Sequence, residues 1–105
     1  MEDKVYLNKN DYAILELIIV NECVSPWKSL TTKFIIEESG LSHVKVRQVL
    51  KTFIIMKYVS EGAKDGNNKT YYATEEGINH YKQVFGYDDY DIEDLIANYK
   101  EEKGL

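Results

Sequence analysis

The chain has 105 residues, of which 30% are charged and 44% apolar, and its formal net charge at pH 7 is −5. This balance is typical of one folded domain and argues against a disordered chain. No apolar run approaches the roughly 18–20 residues of a membrane span, and the acidic start MEDKVY is unlike a signal peptide. A single cysteine cannot form an internal disulfide, so we expect a reducing, cytoplasmic setting.

Positive charge is concentrated in the middle of the chain. Residues 41–74 carry six basic and two acidic side chains. Residues 1–40 carry four basic and seven acidic side chains, and residues 75–105 carry three basic and nine acidic ones. A phosphate-binding surface needs a local positive field more than a positive total, although the acidic total weakens long-range attraction to nucleic acid. Twelve lysines against one arginine are typical of A/T-rich coding sequence, which points to a bacterium, a plasmid or a phage.

The first half of the chain predicts two helices. One begins at Asn10 or Asp11, places apolar residues at helical spacing, and ends before the proline of VSPWKS. The next, in LTTKFIIEESG, is capped by Thr31 or Thr32 and ends at Gly40.

A third helix, a hairpin and two further helices follow. Ser42 caps the third helix, whose residues at core spacing are Val46, Val49, Leu50 and Phe53. Residues 58–60 and 70–73 are predicted strands around the polar turn KDGNNK. Thr74 then caps a fourth helix, and a fifth, acidic and amphipathic helix begins at Asp91.

Three segments carry a resemblance to a known family: LTTKFIIEESGLS, SHVKVRQVLKTFIIMKYV and YYATEEG. In this order they resemble the second helix and turn, the recognition helix and the returning wing strand of winged helix-turn-helix proteins, especially small bacterial MarR- and PadR-type regulators. The resemblance covers about residues 10–85 and implies a mainly α fold with a small β-hairpin: a three-helix core, a two-stranded wing and C-terminal helices. We assign residues 1–86 to this domain and residues 87–105 to an acidic helix that packs or dimerises and that is also a candidate surface for a protein partner.

Two features depart from that family. Lys57 stands where relatives often have glycine, so the third helix has to end without the usual left-handed glycine. The three residues before it, Ile54, Ile55 and Met56, are apolar where relatives usually have charged residues. We expect the terminal helices or a second subunit to bury them. We therefore predict a homodimer with the dimerisation residues Ile54, Ile55, Met56, Ile92, Leu95, Ile96 and Tyr99.

The resemblance implies duplex DNA as the partner, with the third helix in the major groove. Arginine pairs bidentately with guanine and glutamine with adenine, while lysine contacts phosphate or guanine, and Arg47 is the leading candidate because it is the sole arginine. An ordinary solvated helix face and a polar turn tip are the plainer alternatives. The candidate DNA-binding residues are Lys33, His43, Lys45, Arg47, Gln48, Lys51, Lys64, Asn67, Asn68, Lys69 and Thr70.

Catalytic signals are absent from the sequence. His43 and His80 have no partner at metal-ligand spacing, and no nucleophile elbow or phosphate loop occurs, so we expect neither enzyme activity nor a metal or cofactor. The prediction is a sequence-specific duplex DNA-binding protein, either a transcriptional regulator or a plasmid or phage factor for replication, partition or conjugative transfer. The alternatives are an acidic winged-helix module that binds proteins and not DNA, and a regulator that responds to a small molecule.

Overall fold

The computed structural model describes residues 7–104. They form five helices and three short strands: α1 (Lys9–Val20), β1 (Leu30–Thr31), α2 (Thr32–Ser39), α3 (His43–Ile55), β2 (Val59–Glu61), β3 (Thr70–Ala73), α4 (Glu75–Phe85) and α5 (Asp89–Lys103). This order confirms the predicted three-helix core followed by a hairpin and C-terminal helices. Residues 1–6 and 105, which the predicted domain bounds include, lie outside the described residues. Within 7–104, none of the helices has the length and apolarity to cross a membrane.

Side-chain caps fix the helix starts, and two of them lie upstream of their predicted positions. Asn8, and not Asn10 or Asp11, caps α1: its Oδ1 accepts a hydrogen bond from the Asp11 N–H at 3.0 Å, and Asp11 Oδ2 accepts one from the Asn8 N–H at 2.9 Å. Asp88 caps α5 in the same reciprocal way, and Asp91 is its partner. In such a capping box the residue predicted as the cap lies in the first turn, and its side chain accepts a hydrogen bond from the backbone N–H of the residue that caps the helix. The other caps are as predicted: Thr31, Ser42 and Thr74.

The predicted two-stranded hairpin is confirmed as β2 and β3, and a third strand that was not predicted, β1, extends it to a three-stranded sheet. β3 lies in the middle and pairs antiparallel with β2 on one side and β1 on the other. The two residues of β1 pair with Tyr71 and Thr70, and so short a strand has no periodicity of its own. β2 begins at Val59, one residue later than predicted. The extra strand ties the hairpin to the segment that enters α2.

The core is built around α1, which contacts α2, α3, α4, α5 and β3. Tyr81 of α4 is buried there, and its hydroxyl donates a hydrogen bond to Glu16 Oε1 at 2.5 Å. Cys23, just after α1, is also buried, and its burial raises the pKa of the thiol. The predicted core residues of α3 are confirmed as buried: Val46, Val49, Leu50 and Phe53.

α3 ends at a lysine in the left-handed conformation. Lys57 has φ +68°, its N–H donates to Ile54 O at 3.0 Å, and the N–H of Tyr58 donates to Phe53 O at 2.9 Å. This is the Schellman arrangement, in which glycine is the usual left-handed residue because it lacks a Cβ. The helix therefore keeps the usual ending without the glycine, at a cost of about 1 kcal/mol.

α5 covers part of the core of its own chain. Ile92 is buried in that core, and Leu95, Ile96 and Tyr99 pack against it. Two ion pairs hold the second half of the helix, Lys100 to Glu22 at 2.7 Å and Lys103 to Glu38 at 2.6 Å. The apolar stripe predicted for a second subunit is thus partly covered from within, and we withdraw Ile92 from the dimer surface.

Candidate nucleic-acid interface

A short turn between α2 and α3 presents the outer face of α3 to solvent. Gly40 ends α2 with φ +71°, and its N–H donates to Ile36 O at 3.0 Å. Ser42 then starts α3, because its Oγ accepts a hydrogen bond from the N–H of Lys45 at 3.1 Å. Since one face of α3 is buried in the core, the opposite face is exposed, and it includes three of the predicted residues: Arg47, Gln48 and Lys51.

A groove of about 730 Å³ lies between α3 and the wing. The buried side chains of Leu50 and Tyr71 belong to its lining, and the start of α2 contributes Thr32. The groove brings together six of the residues predicted from the sequence, which come from three separate elements. These are Lys33, Arg47, Lys51, Asn67, Asn68 and Lys69.

The charges along this groove are mainly positive. Its lining holds four cations, from Lys33, Arg47, Lys51 and Lys69, against the one carboxylate of Glu61. The ammonium of Lys69 lies 3.9 Å from Glu61, but both side chains are more than half exposed, so water screens this pair. Within residues 7–104 the other three cations form no ion pair. The groove is therefore a locally cationic surface on an acidic chain.

The tip of the wing is a two-residue turn. Asp65 and Asn68 exchange backbone hydrogen bonds of 3.0 Å in both directions, which leaves Gly66 and Asn67 in the turn. Gly66 has φ +63°, a conformation that this kind of hairpin turn needs and that glycine adopts at little cost. The amide side chains of Asn67 and Asn68 are exposed beside the groove, where they can donate hydrogen bonds.

The base of the wing rests on the turn that precedes β1. The N–H of Ala63 donates to Pro26 O at 2.8 Å. A Cβ at Gly62 would lie 2.6 Å from Ser29 Oγ and 2.8 Å from Pro26 O, so only glycine allows the two loops to approach this closely. Trp27, in the same turn, is 87% exposed. The base of the wing is thus fixed, and its tip extends into solvent.

Two predicted contact residues are engaged inside the protein. Thr70 is 4% exposed, and its hydroxyl donates to Ala63 O at 2.5 Å. It closes the hairpin, and we withdraw it from the candidate contacts. The ammonium of Lys45 lies 3.0 Å from Oδ1 of Asp11, a buried carboxylate of α1, and Lys45 does not line the groove.

The remaining predicted residues, His43, Gln48 and Lys64, are exposed but lie outside the groove lining. The sequence interpretation missed the apolar part of the groove and its opposing carboxylate, Glu61. It also treated Asp11 only as a candidate cap. A carboxylate at the start of an otherwise apolar helix was the available signal, since such a group needs a cation when it is buried.

The described residues offer no alternative site of metal chemistry: none of their His, Cys, Asp and Glu side chains form a group of three or more that could hold a metal ion. His80 instead packs between the helices and the wing. Its ring stacks on Tyr58 with 4.1 Å between centroids, and its Nε2 lies 2.8 Å from the Tyr12 hydroxyl. Burial lowers the pKa of His80.

Comparison with known proteins places this fold. No family model matches the chain. The DNA-binding protein TubR of Clostridium botulinum C phage is 40% identical to it over 78 residues, which are 74% of this chain and 96% of the relative. The solution structure of the DNA-binding TubR fragment from Clostridium botulinum is similar with a TM-score of 0.62 at 39% identity, over 76% of this chain and 99% of that one.

A MarR-type structure shares the architecture more distantly. ZitR from Lactococcus lactis, a zinc-responsive MarR family member, matches with a TM-score of 0.58 at 20% identity, over 95% of this chain and 63% of its own. This likeness confirms the predicted winged-helix fold. The identity to TubR, which extends over nearly the whole of that protein, shows more: the chain belongs to the TubR family of winged-helix proteins.

Proposed function

We propose that this chain binds double-stranded DNA sequence-specifically and acts as an accessory factor of a plasmid or phage in the cytoplasm of a bacterium, with partition of the replicon as its role. The observation that carries the proposal is the groove between α3 and the wing, with four cations and one carboxylate on a chain of net charge −5. The name and phage source of the relative, DNA-binding protein TubR, independently support DNA binding and a phage or plasmid setting.

In the proposed complex, α3 enters the major groove of DNA. A major groove about 12 Å wide admits a helix, and the exposed Arg47 and Gln48 have the hydrogen-bonding geometry for guanine and adenine. Lys51 and Lys69, on opposite sides of the protein groove, would neutralise phosphates, and the tip amide of Asn67 would donate to the neighbouring backbone. The helix supplies the sequence specificity and the wing sets the register.

The proposed active form is a homodimer. Ile55 at the end of α3 is 71% exposed, and Ile54 and Met56 beside it are half-buried, so this end of the helix keeps apolar surface that its own chain does not cover. Ile54 and Ile55 also line the groove, so the proposed dimer interface adjoins the proposed DNA surface. Two reading helices in a dimer would address half-sites about one DNA turn apart. Sedimentation equilibrium of the wild type and of Ile55→Glu tests this, since a charge at the interface is expected to yield the monomer.

Salt-dependent binding to a duplex selected from a random library tests DNA recognition. Affinity should fall steeply between about 50 and 200 mM salt, because bound phosphates release counterions. Arg47→Ala should cost about 1–3 kcal/mol and relax specificity. The double change Lys64→Ala, Lys69→Ala should weaken binding to all sequences. Comparison of its loss of affinity with that of Arg47→Ala shows whether the wing or α3 is the main contact. Lys100→Ala on α5 removes the same charge away from the groove and should leave the salt slope unchanged.

Two results would redirect the proposal. Absence of binding to any duplex at low salt would contradict it and favour the acidic protein-interaction module. For the cellular role, a low-copy replicon that encodes Arg47→Ala should be lost from daughter cells at an unchanged copy number. A fall in copy number would instead assign the protein to replication.

A further inference from the structure

The first turn of α1 contains a buried carboxylate whose negative charge the capping hydrogen bond does not require. Asp11 is 4% exposed, and its Oδ2 completes the capping box with Asn8. A neutral amide oxygen would accept that hydrogen bond equally well. Its Oδ1 is buried and has no partner with hydrogen-bond geometry within residues 7–104, and the cation beside it is Lys45, 3.0 Å away. Apart from the positive end of α1, Lys45 is therefore the partner of this negative charge.

Lys45 lies on the flank of α3 that faces away from the wing. It precedes Arg47 by two residues, which is roughly 200° around a helix. Arg47 and Lys51 line the groove and Lys45 does not. Lys45 is also in the first turn of α3, where the positive end of the helix disfavours a cation. The Asp11 carboxylate offsets that repulsion and holds the ammonium against α1.

We propose that Asp11 is a positioning residue of the DNA interface. It holds Lys45 against α1, so that α3 presents positive charge to DNA only on the flank beside the wing. The inference rests on the proposed function. A helix in the major groove has a phosphate backbone on each side. If Lys45 were released, it would face the second backbone and add a contact that is independent of sequence. Asp11 thus limits non-specific attraction at the reading helix.

The test is the salt dependence of DNA binding by Asp11→Asn, which keeps the capping oxygen and removes the charge. Its slope of log affinity against log salt should be steeper than that of the wild type by about 0.9, the value for one more neutralised phosphate. The loss of affinity between about 50 and 200 mM salt is then about 3.5-fold larger than in the wild type. Binding to unrelated duplexes should strengthen at low salt.

Lys45→Met in the Asp11→Asn background should restore the wild-type slope, because the released lysine is then gone. This double variant also keeps the test open if the single variant unfolds. A slope shallower than that of the wild type by about 0.9 would mean that Lys45 already contacts phosphate beside Asp11, and would overturn the inference.

Glu22→Gln is the matched control. It changes the net charge by the same amount and releases Lys100, its partner at 2.7 Å, just beyond the end of α1 that is opposite Asp11. Its slope should equal that of the wild type. An equal increase of the slope in Asp11→Asn and Glu22→Gln would show a general effect of net charge and overturn the inference. An unchanged slope in Asp11→Asn would also overturn it. Both failures leave wild-type binding intact, whereas failure of the proposed function appears as a wild type that binds no duplex.

Discussion

Replacement of Gly77 by alanine tests how α4 docks on the start of the wing. Gly77 is the third residue of α4 and is buried. A Cβ at this position would lie 2.0 Å from the carbonyl oxygen of Tyr58 and 2.8 Å from its carbonyl carbon, where ordinary contacts begin at 3.4 Å. That oxygen is already held, because it accepts a hydrogen bond from the N–H of Thr74 at 3.0 Å. The helix and the wing would have to separate by more than 1 Å.

The free energy of unfolding should fall clearly in Gly77→Ala. Helix propensity alone favours alanine over glycine by about 1 kcal/mol. Overpacking costs about 1–3 kcal/mol or more, and a clash with backbone lies at the upper end. We expect a net loss of about 2 kcal/mol or more, out of the roughly 5–15 kcal/mol that stabilise a typical domain.

Urea unfolding followed by far-UV circular dichroism measures this loss. Asn79→Ala, at an exposed site two residues further along α4, is the control, and it should gain about half a kcal/mol from propensity. A Gly77→Ala protein as stable as the wild type, or more stable by the propensity difference, would refute the contact between α4 and Tyr58.

Three further variants test the end of α3 and the packing of α4 against its neighbours. Lys57→Gly should raise the free energy of unfolding by up to about 1 kcal/mol, because glycine adopts the left-handed conformation without Cβ strain, whereas Lys57→Ala should have little effect; a less stable glycine variant would contradict this. Burial lowers the pKa of His80 from 6.5, so the unfolded state binds more protons and stability should fall as pH falls from about 7 to 5.5. Urea midpoints should lose this slope in His80→Gln and keep it in Asn79→Ala, at the neighbouring exposed position. Tyr81→Phe removes the hydrogen bond to Glu16 and should cost about 1–3 kcal/mol in the same assay, and an unchanged midpoint would argue against that bond.

Periodicity predicted the helices and their buried faces because both depend on local sequence. Val46, Val49, Leu50 and Phe53 recur at helical spacing, and the structure buries all four. The hairpin was predicted equally well, since the Gly and Asn residues between its strands favour a turn. The relative placement of helices and hairpin, with the outer face of α3 beside the wing, was implied by the resemblance to winged-helix proteins and not by these patterns.

Features that depend on distant pairing were not predicted. Leu30 and Thr31 become a strand only because β3 lies beside them, and nothing in LTT distinguishes a strand from a helix start. The contact of Lys45 with Asp11 joins residues 34 positions apart in the chain. From helical spacing alone Lys45 belonged to the exposed face, and only the packing of α3 on α1 shows where its ammonium lies.

The burial of Cys23 makes the protein suitable for site-directed labelling. It is the only cysteine of the chain, it is 3% exposed, and its raised thiol pKa keeps it protonated and unreactive at neutral pH. A cysteine introduced at the exposed wing tip, as in Asn67→Cys, would be the single reactive thiol. Spin labels attached there would report the separation of the two wing tips in a dimer, free and on DNA, without prior removal of the native cysteine.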